Sequence, residues 1–276
     1  MAERSPLVAG GTHKAFSSHP KTFLTDAILA IHKNTIIFAA THATVHTGDQ
    51  AEDGWFLSDF YAFNYLLNGS VADQTWLTAA NPEKLVGKYG DFLHGSPNRD
   101  RSRDLLKSDT TPVTVVEPAK MIEKFLDKVT RASAASLRAK HAGCPLLLMI
   151  FCHGIAGHYL CLDNGTRHKG VSIVWLKAAL EPGVSVTLFT TACYSGGWAV
   201  TPELNITTMA AADPDSLSIS WQLSNSMGRA CGSAFAGATI SALSGASTHC
   251  LYRTVVRKHW RQTIPFSNPK SLQRHR

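Results

Sequence analysis

Six cysteines in 276 residues are too few and too scattered for a disulfide framework. Three of them, Cys144, Cys152 and Cys193, lie in or beside apolar runs, the usual setting of reduced thiols in a reducing compartment. Met1 to Pro20 contains no apolar core of the kind a secretory leader carries, because Gly, Ser, Lys and His interrupt it. No stretch is long and pure enough to cross a bilayer, and there are neither internal repeats nor low-complexity tracts. These absences set the expectation of a cytoplasmic protein without a membrane partner, and the three Asn-x-Ser/Thr triplets at Asn68, Asn164 and Asn205 read as chance. Charge is modest: 17% of residues are charged and 44% hydrophobic, as in an ordinary globular chain. The net charge of +7 is carried in large part by Arg253 to Arg276, which holds no acid, so the body is close to neutral. A solvated tail is the expectation there, and nucleic acid is an unlikely partner.

The chain is organised around two apolar runs that each end on a reactive side chain. Leu146 to Cys152 runs into His153-Gly154, and Val184 to Ala192 runs into Cys193 and then Tyr194-Ser195-Gly196-Gly197. Both are strand-length and rich in β-branched or large apolar residues without alternation, as suits central strands buried on both faces of a parallel sheet. Between them Ser172 to Leu180 has helical spacing and stops at Glu181-Pro182-Gly183. Strand, helix and strand make a βαβ unit, so the two strands run parallel and deliver His153 and Cys193 to the same edge. Ligands of open α/β sheets bind at that edge.

The remaining elements are read in order. Asn34 to Ala40 is the first buried strand, Thr41 to Gly54 a polar loop holding Asp49, Glu52 and Asp53, and Trp55 to Leu67 an apolar helix with Asp59 near its start. Gln74 to Ala79 and Thr114 to Val116 read as strands, Asn81 to Thr111 as loop, and Glu117-Pro118 as the opening of a helix to about Lys140. Ile206 to Ala212 is a further parallel strand, Leu217 to Trp221 is extended, and Ser226 to Leu243 is a helix of small residues. The expected fold is α/β, a three-layer sandwich with a mostly parallel sheet of about six strands flanked by helices. The expected organisation is a flexible arm over 1–32, one domain over 33–250 and a basic tail over 251–276.

A thiol is a weak nucleophile until it loses its proton, and an adjacent imidazole can take it. Gly154 leaves room for a substrate carbonyl, and its N–H together with that of Cys193 forms a candidate oxyanion hole. The chemistry is acyl transfer through a thioester, with Cys193 attacking and His153 protonating the leaving amine; sequence alone assigns no third residue. Cys152, His153, His158 and Cys161 spell C-H-x4-H-x2-C, which fits no common zinc pattern, and neighbouring strand residues point to opposite faces. Neither metal nor cofactor is expected.

An apolar block ending in His-Gly and a second ending in Ala-Cys, here His153-Gly154 and Ala192-Cys193, resemble the caspase/legumain-like cysteine peptidases of clan CD, and the wording of both blocks is similar to fungal members of that superfamily. Cys193-Tyr194-Ser195-Gly196 looks closer to the legumain form; where caspases have Gln before Ala-Cys, this chain has Thr191. Asp59 is placed like an Asp of legumains and metacaspases, and Ser220-Trp221 is similar to the caspase substrate-binding strand. The resemblance spans roughly Asn34 to Leu243 and implies a cysteine endopeptidase acting on peptide or protein substrates, with Asp49, Asp59, Ser220 and Trp221 as substrate contacts. The loop before the first helix holds no Arg, so neither Asn nor Asp specificity is implied, and the acidic loop would favour a basic residue at the cleavage site, as in metacaspases. The resemblance equally admits a peptide ligase or cyclase using the same thioester, or a catalytically silent scaffold. Self-cleavage, common among such relatives, would fall in the charged segment Asn98 to Lys107.

Overall fold

The computed structural model describes residues 29, 31–49, 52–90, 92, 94, 110–138, 143–163, 170–201, 203–220 and 232–246. Most of the expected arm over 1–32, the Asn98–Lys107 segment, Trp221 and the basic tail lie outside the described residues.

In chain order the elements are β1 (Ile36–Thr41), α1 (Gly54–Leu67), β2 (Asp73–Thr78), α2 (Pro82–Tyr89), β3 (Thr114–Val115), α3 (Met121–Leu137), β4 (Leu146–Phe151), β5 (His153–Ile155), β6 (Tyr159–Cys161), α4 (Ile173–Ala179), β7 (Val186–Thr190), α5 (Gly196–Ala199), β8 (Thr207–Ala210) and α6 (Ala234–Ala246). Six strands form one sheet in the order β3-β2-β1-β4-β7-β8, every pair parallel. β5 and β6 form a separate antiparallel hairpin. The fold is an α/β three-layer sandwich, as the two apolar runs required.

The central strands read as continuous apolar runs because both faces are covered. Ile37 and Ala39 of β1 and Leu147, Met149 and Phe151 of β4 pack with α1 and α6, while Ile36, Phe38, Ala40, Leu146, Leu148 and Ile150 pack with α3 and α4. Each such side chain, fully withdrawn from water, contributes roughly 1.5–3 kcal/mol. Helix α1 lacks a polar stripe: every residue but Trp55 is buried, so it sits in the core rather than on it. Phe60 and Phe63 of α1 meet Phe151 edge-on or tilted, with centroids 6.0 and 5.7 Å apart, and pin the helix beneath the end of β4.

Several boundaries differ from the sequence reading. Within the supposed loop 81–111 lies α2, whose signals are all local: Asn81 accepts from the Lys84 N–H, Pro82 opens the helix, and Gly90 closes it at φ 73°. Pro118–Lys120 forms a 3-10 turn before α3, which ends at Leu137 rather than Lys140. The β5–β6 hairpin falls inside the βαβ crossover, where the sequence reading placed no strand. Helix α6 begins at Ala234, after Gly232 and Ser233, so residues 232–233 are not helical and 226–231 are outside the described residues. Leu217 to Ser220 is extended but joins no sheet, apart from a single bridge between Ser220 and Ser233.

Candidate active site

The register of β4 against β7 sets the site. Ile150 pairs with Thr190, and three residues beyond each partner come His153 and Cys193. The two strand ends thus bring His153 and Cys193 to the same carboxyl edge. The backbones touch there: a Cβ added at Gly154 would overlap the Cys193 carbonyl oxygen and stand 2.9 Å from its carbonyl carbon. Only glycine permits this approach, and the approach brings together the two peptide units expected to share an oxyanion.

Cys193 is half-buried, and its sulfur accepts a hydrogen bond from the Ser218 N–H at 3.3 Å. A thiolate holds such a donor better than a thiol does. The turn after it is built on tight packing. Tyr194 has φ 56°, its N–H donates to Ser216 O, and its carbonyl accepts from His158 Nδ1 at 3.1 Å. The His158 ring lies against Gly197, where no side chain would fit. The β5–β6 hairpin is therefore clamped onto the turn that carries the nucleophile.

The third member of the site comes from the loop before α1. His153 Nε2 lies 2.8 Å from Asp53 Oδ1, and His42 Nε2 lies 3.3 Å from Asp53 Oδ2. The loop is shaped by Thr44, whose hydroxyl accepts from the His46 and Thr47 N–H groups, and by Asp49 O, which accepts from Glu52 and Gly54 N–H. A Cβ on Gly54 would meet the carbonyl oxygens of Gly48 and Asp49, so this compact turn needs glycine there as well. Asp53 occupies the N-cap position of α1 yet makes no side-chain cap bond, forgoing about 1 kcal/mol of helix stabilisation to face the two histidines. Burial works to raise its carboxyl, but the hydrogen bonds from His153 and His42 outweigh it and hold Asp53 well below the ordinary carboxylate range. An ionised Asp53 fixes the hydrogen of neutral His153 on Nε2, leaving Nδ1 as the ring nitrogen that can accept a proton. Phe56 presses edge-on against both rings, 5.1 Å from His42 and 4.9 Å from His153, and restricts their rotation.

The other expected site residues are distributed unevenly. Asp59 is fully buried in α1; its Oδ1 accepts from the Ser233 N–H at 2.9 Å and meets His94 Nε2 at 3.0 Å. That corrects its assignment to substrate contact: the carboxylate ties α1 to the start of α6 and presents nothing at the surface. Asp49 is half-buried and contributes its backbone carbonyl to the loop turn. Ser220 is exposed beside Ser233, and Trp221 is outside the described residues. Within the acidic loop, Asp53 is engaged by the histidines, so a basic cleavage preference cannot draw on it. Trp198, directly after Gly196-Gly197, is buried at 1% exposure and belongs to the core. Cys152 is fully buried on the α3–α4 side, where desolvation drives its thiol far up, and Cys161 is pushed up to about 11 chiefly by burial. With His158 bound to Tyr194, the C-H-x4-H-x2-C residues do not converge.

Sequence reasoning missed His42 and left Asp53 among generic acids. A weak signal existed: His42 follows the last residue of β1, and β1 borders β4, so its side chain had to emerge beside His153. Compared with known protein families and with characterised proteins, the chain matches no family model and no individual sequence.

Proposed function

We propose that this protein is a cysteine endopeptidase of the caspase/legumain-like kind, working through a thioester acyl-enzyme. The observation that carries the reading is the coincidence of Cys193 and His153 at equivalent positions past the Ile150–Thr190 pair, with His153 held by Asp53 through Nε2. His153 Nδ1 takes the Cys193 proton as sulfur attacks the scissile carbonyl, and returns it to the leaving amine. The developing oxyanion is received by the N–H groups of Gly154 and Cys193; among the described residues, none accepts a hydrogen bond from the Cys193 N–H. Water then releases the acyl group.

The extended segment over 216–220 supplies a surface for an extended peptide. Ser218 turns its N–H to the sulfur, while Leu217 and Ile219 on either side are 65% and 72% exposed. A segment beside a nucleophile with two exposed apolar side chains suits the docking of an extended substrate, with the apolar pair contacting alternate side chains. Among the described residues no helix is long and apolar enough to cross a membrane, and Cys144, Cys152, Cys161 and Cys193 form no disulfide. Free thiols fit action in a reducing compartment such as the cytoplasm.

The test is cleavage-site profiling on a fluorogenic peptide library with Cys193→Ala as control. Cleavage that the variant abolishes supports the peptidase, and the residue preferred at the cleavage site reports the specificity. Diversion of product into transfer adducts by added amine would favour a ligase. No cleavage, with no labelling of Cys193 by a peptide electrophile, would sink the reading and leave a silent module.

A further inference from the structure

His42 is an unusual residue to find unspent. It is 6% exposed, its Nε2 stands 3.3 Å from Asp53 Oδ2, and its Nδ1 has no hydrogen-bond partner. A buried ring nitrogen left without a partner costs on the order of 1–3 kcal/mol. One of its ring nitrogens belongs to a group of three donor atoms, with an Asp53 oxygen and a His153 ring nitrogen, that all lie within 4.8 Å of one another. Ligands on a tetrahedral zinc ion with bonds of about 2.0–2.1 Å sit roughly 3.3 Å apart. His153 Nε2 stands 2.8 Å from Asp53 Oδ1 and His42 Nε2 stands 3.3 Å from Asp53 Oδ2, so both rings already turn a nitrogen to the one carboxylate.

We infer that His42, Asp53 and His153 form a three-ligand site for a zinc-class divalent ion, and that filling it switches off the Cys193–His153 pair. Two imidazoles and one carboxylate select zinc over magnesium or calcium, which want oxygen ligands. The fourth position of the ion faces the open side of His153 and takes water. Phe56, in edge contact with both rings, holds the imidazoles in orientation. The inhibitory consequence follows from the imidazole. A metal on His153 Nε2 leaves no hydrogen on that atom, so the single hydrogen of the neutral ring resides on Nδ1. Nδ1 then cannot accept the Cys193 proton, and no thiolate forms by that route. Metal binding itself stands apart from the peptidase reading, whereas the inhibition rests on it.

The full-length Cys193→Ala protein tests the site without turnover and without the nucleophilic sulfur as a competing ligand. Titration with Zn2+ by calorimetry should show one ion per chain. Co2+ should give the intense visible absorption of a tetrahedral ion, without a thiolate charge-transfer band. His42→Ala and Asp53→Asn, made in the same background, should each weaken Zn2+ by at least the roughly 10–100-fold that loss of even an outer partner costs. His42→Gln, closer in size, guards against misfolding of the Ala variant and should weaken binding likewise. Absence of saturable Zn2+ binding, affinity undiminished in both His42 variants, or a thiolate band in the cobalt spectrum would each overturn the site. In the protein with Cys193 intact, Zn2+ at saturation should abolish peptide cleavage, a chelator should restore it, and Mg2+ should do neither. Cleavage that continues with the metal bound would overturn the switch.

Discussion

His158 donates a hydrogen bond from Nδ1 to the carbonyl of Tyr194, joining the only two non-glycine residues with left-handed backbone among those described, at φ 62° and 56°. Left-handed geometry costs an ordinary residue roughly 1–2 kcal/mol, and both sites sit within a few residues of the proposed dyad. The mutual bond and the packing of the His158 ring on Gly197 hold the pair in place. Gly197→Ala should therefore displace the ring, lower the thermal midpoint and reduce cleavage. His158→Ala made on top of it removes the clash, so a double-mutant cycle should give a favourable coupling on the order of 1 kcal/mol or more. Strict additivity in that cycle would mean the ring does not clamp the turn.

Asp53→Asn should separate positioning from binding. An amide can donate to His153 Nε2 and so favour the wrong tautomer, with hydrogen on Nδ1. The expected loss in kcat is on the order of 10³–10⁴-fold, the scale seen when a carboxylate that fixes a catalytic histidine is neutralised, with KM nearly unchanged. Steady-state kinetics check it; a rise in KM at constant kcat would contradict the assignment.

Gly154→Ala should be among the most damaging single-methyl additions available. The new Cβ overlaps the Cys193 carbonyl oxygen, and neither backbone can yield without opening the hairpin or the turn. A stability loss of about 1–3 kcal/mol is expected from overpacking. Cleavage should fall further than stability does. Chemical denaturation alongside kinetics distinguishes the two effects.

Stability should decline on the alkaline side. Burial raises Tyr61, Cys152 and Cys161 above their ordinary values, with Cys161 reaching about 11. Groups whose folded values are raised contribute fully below their unfolded values, near 9.0 for cysteine and 10.0 for tyrosine, and lose that contribution as pH climbs toward the folded ones. Thermal midpoints should thus be flat with respect to these groups at neutral pH and fall from about pH 9 upward. Tyr61→Phe should flatten part of the fall. A midpoint that is unchanged between pH 8 and 11 would refute the account.

Most of the fold was legible in the chain because parallel-sheet strands advertise themselves. The runs Leu146–Phe151 and Val186–Thr190 are apolar throughout because both faces are covered, and the helical Ile173–Ala179 between them compels the parallel crossover. From that, the adjacency of His153 and Cys193 followed by geometry. Local capping chemistry would also have revealed α2, since Asn81-Pro82 and Gly90 mark its ends. What sequence periodicity could not supply was the direction of individual polar side chains. Asp53 and Asp59 lie six positions apart, in the same acidic neighbourhood, yet one turns out to two histidines while the other is sealed against His94 and Ser233. That choice depends on whether the packed loop 44–54 and the start of α6 offer partners, a matter of contacts across 100 and 174 positions of chain. The sequence by itself determined the sheet, its parallel order around β4 and β7, and the pair of reactive residues at its edge. Only the tertiary structure decided which carboxylate joins them and why His42 stands beside it, because hydrogen bonds between distant loops leave no period in the chain.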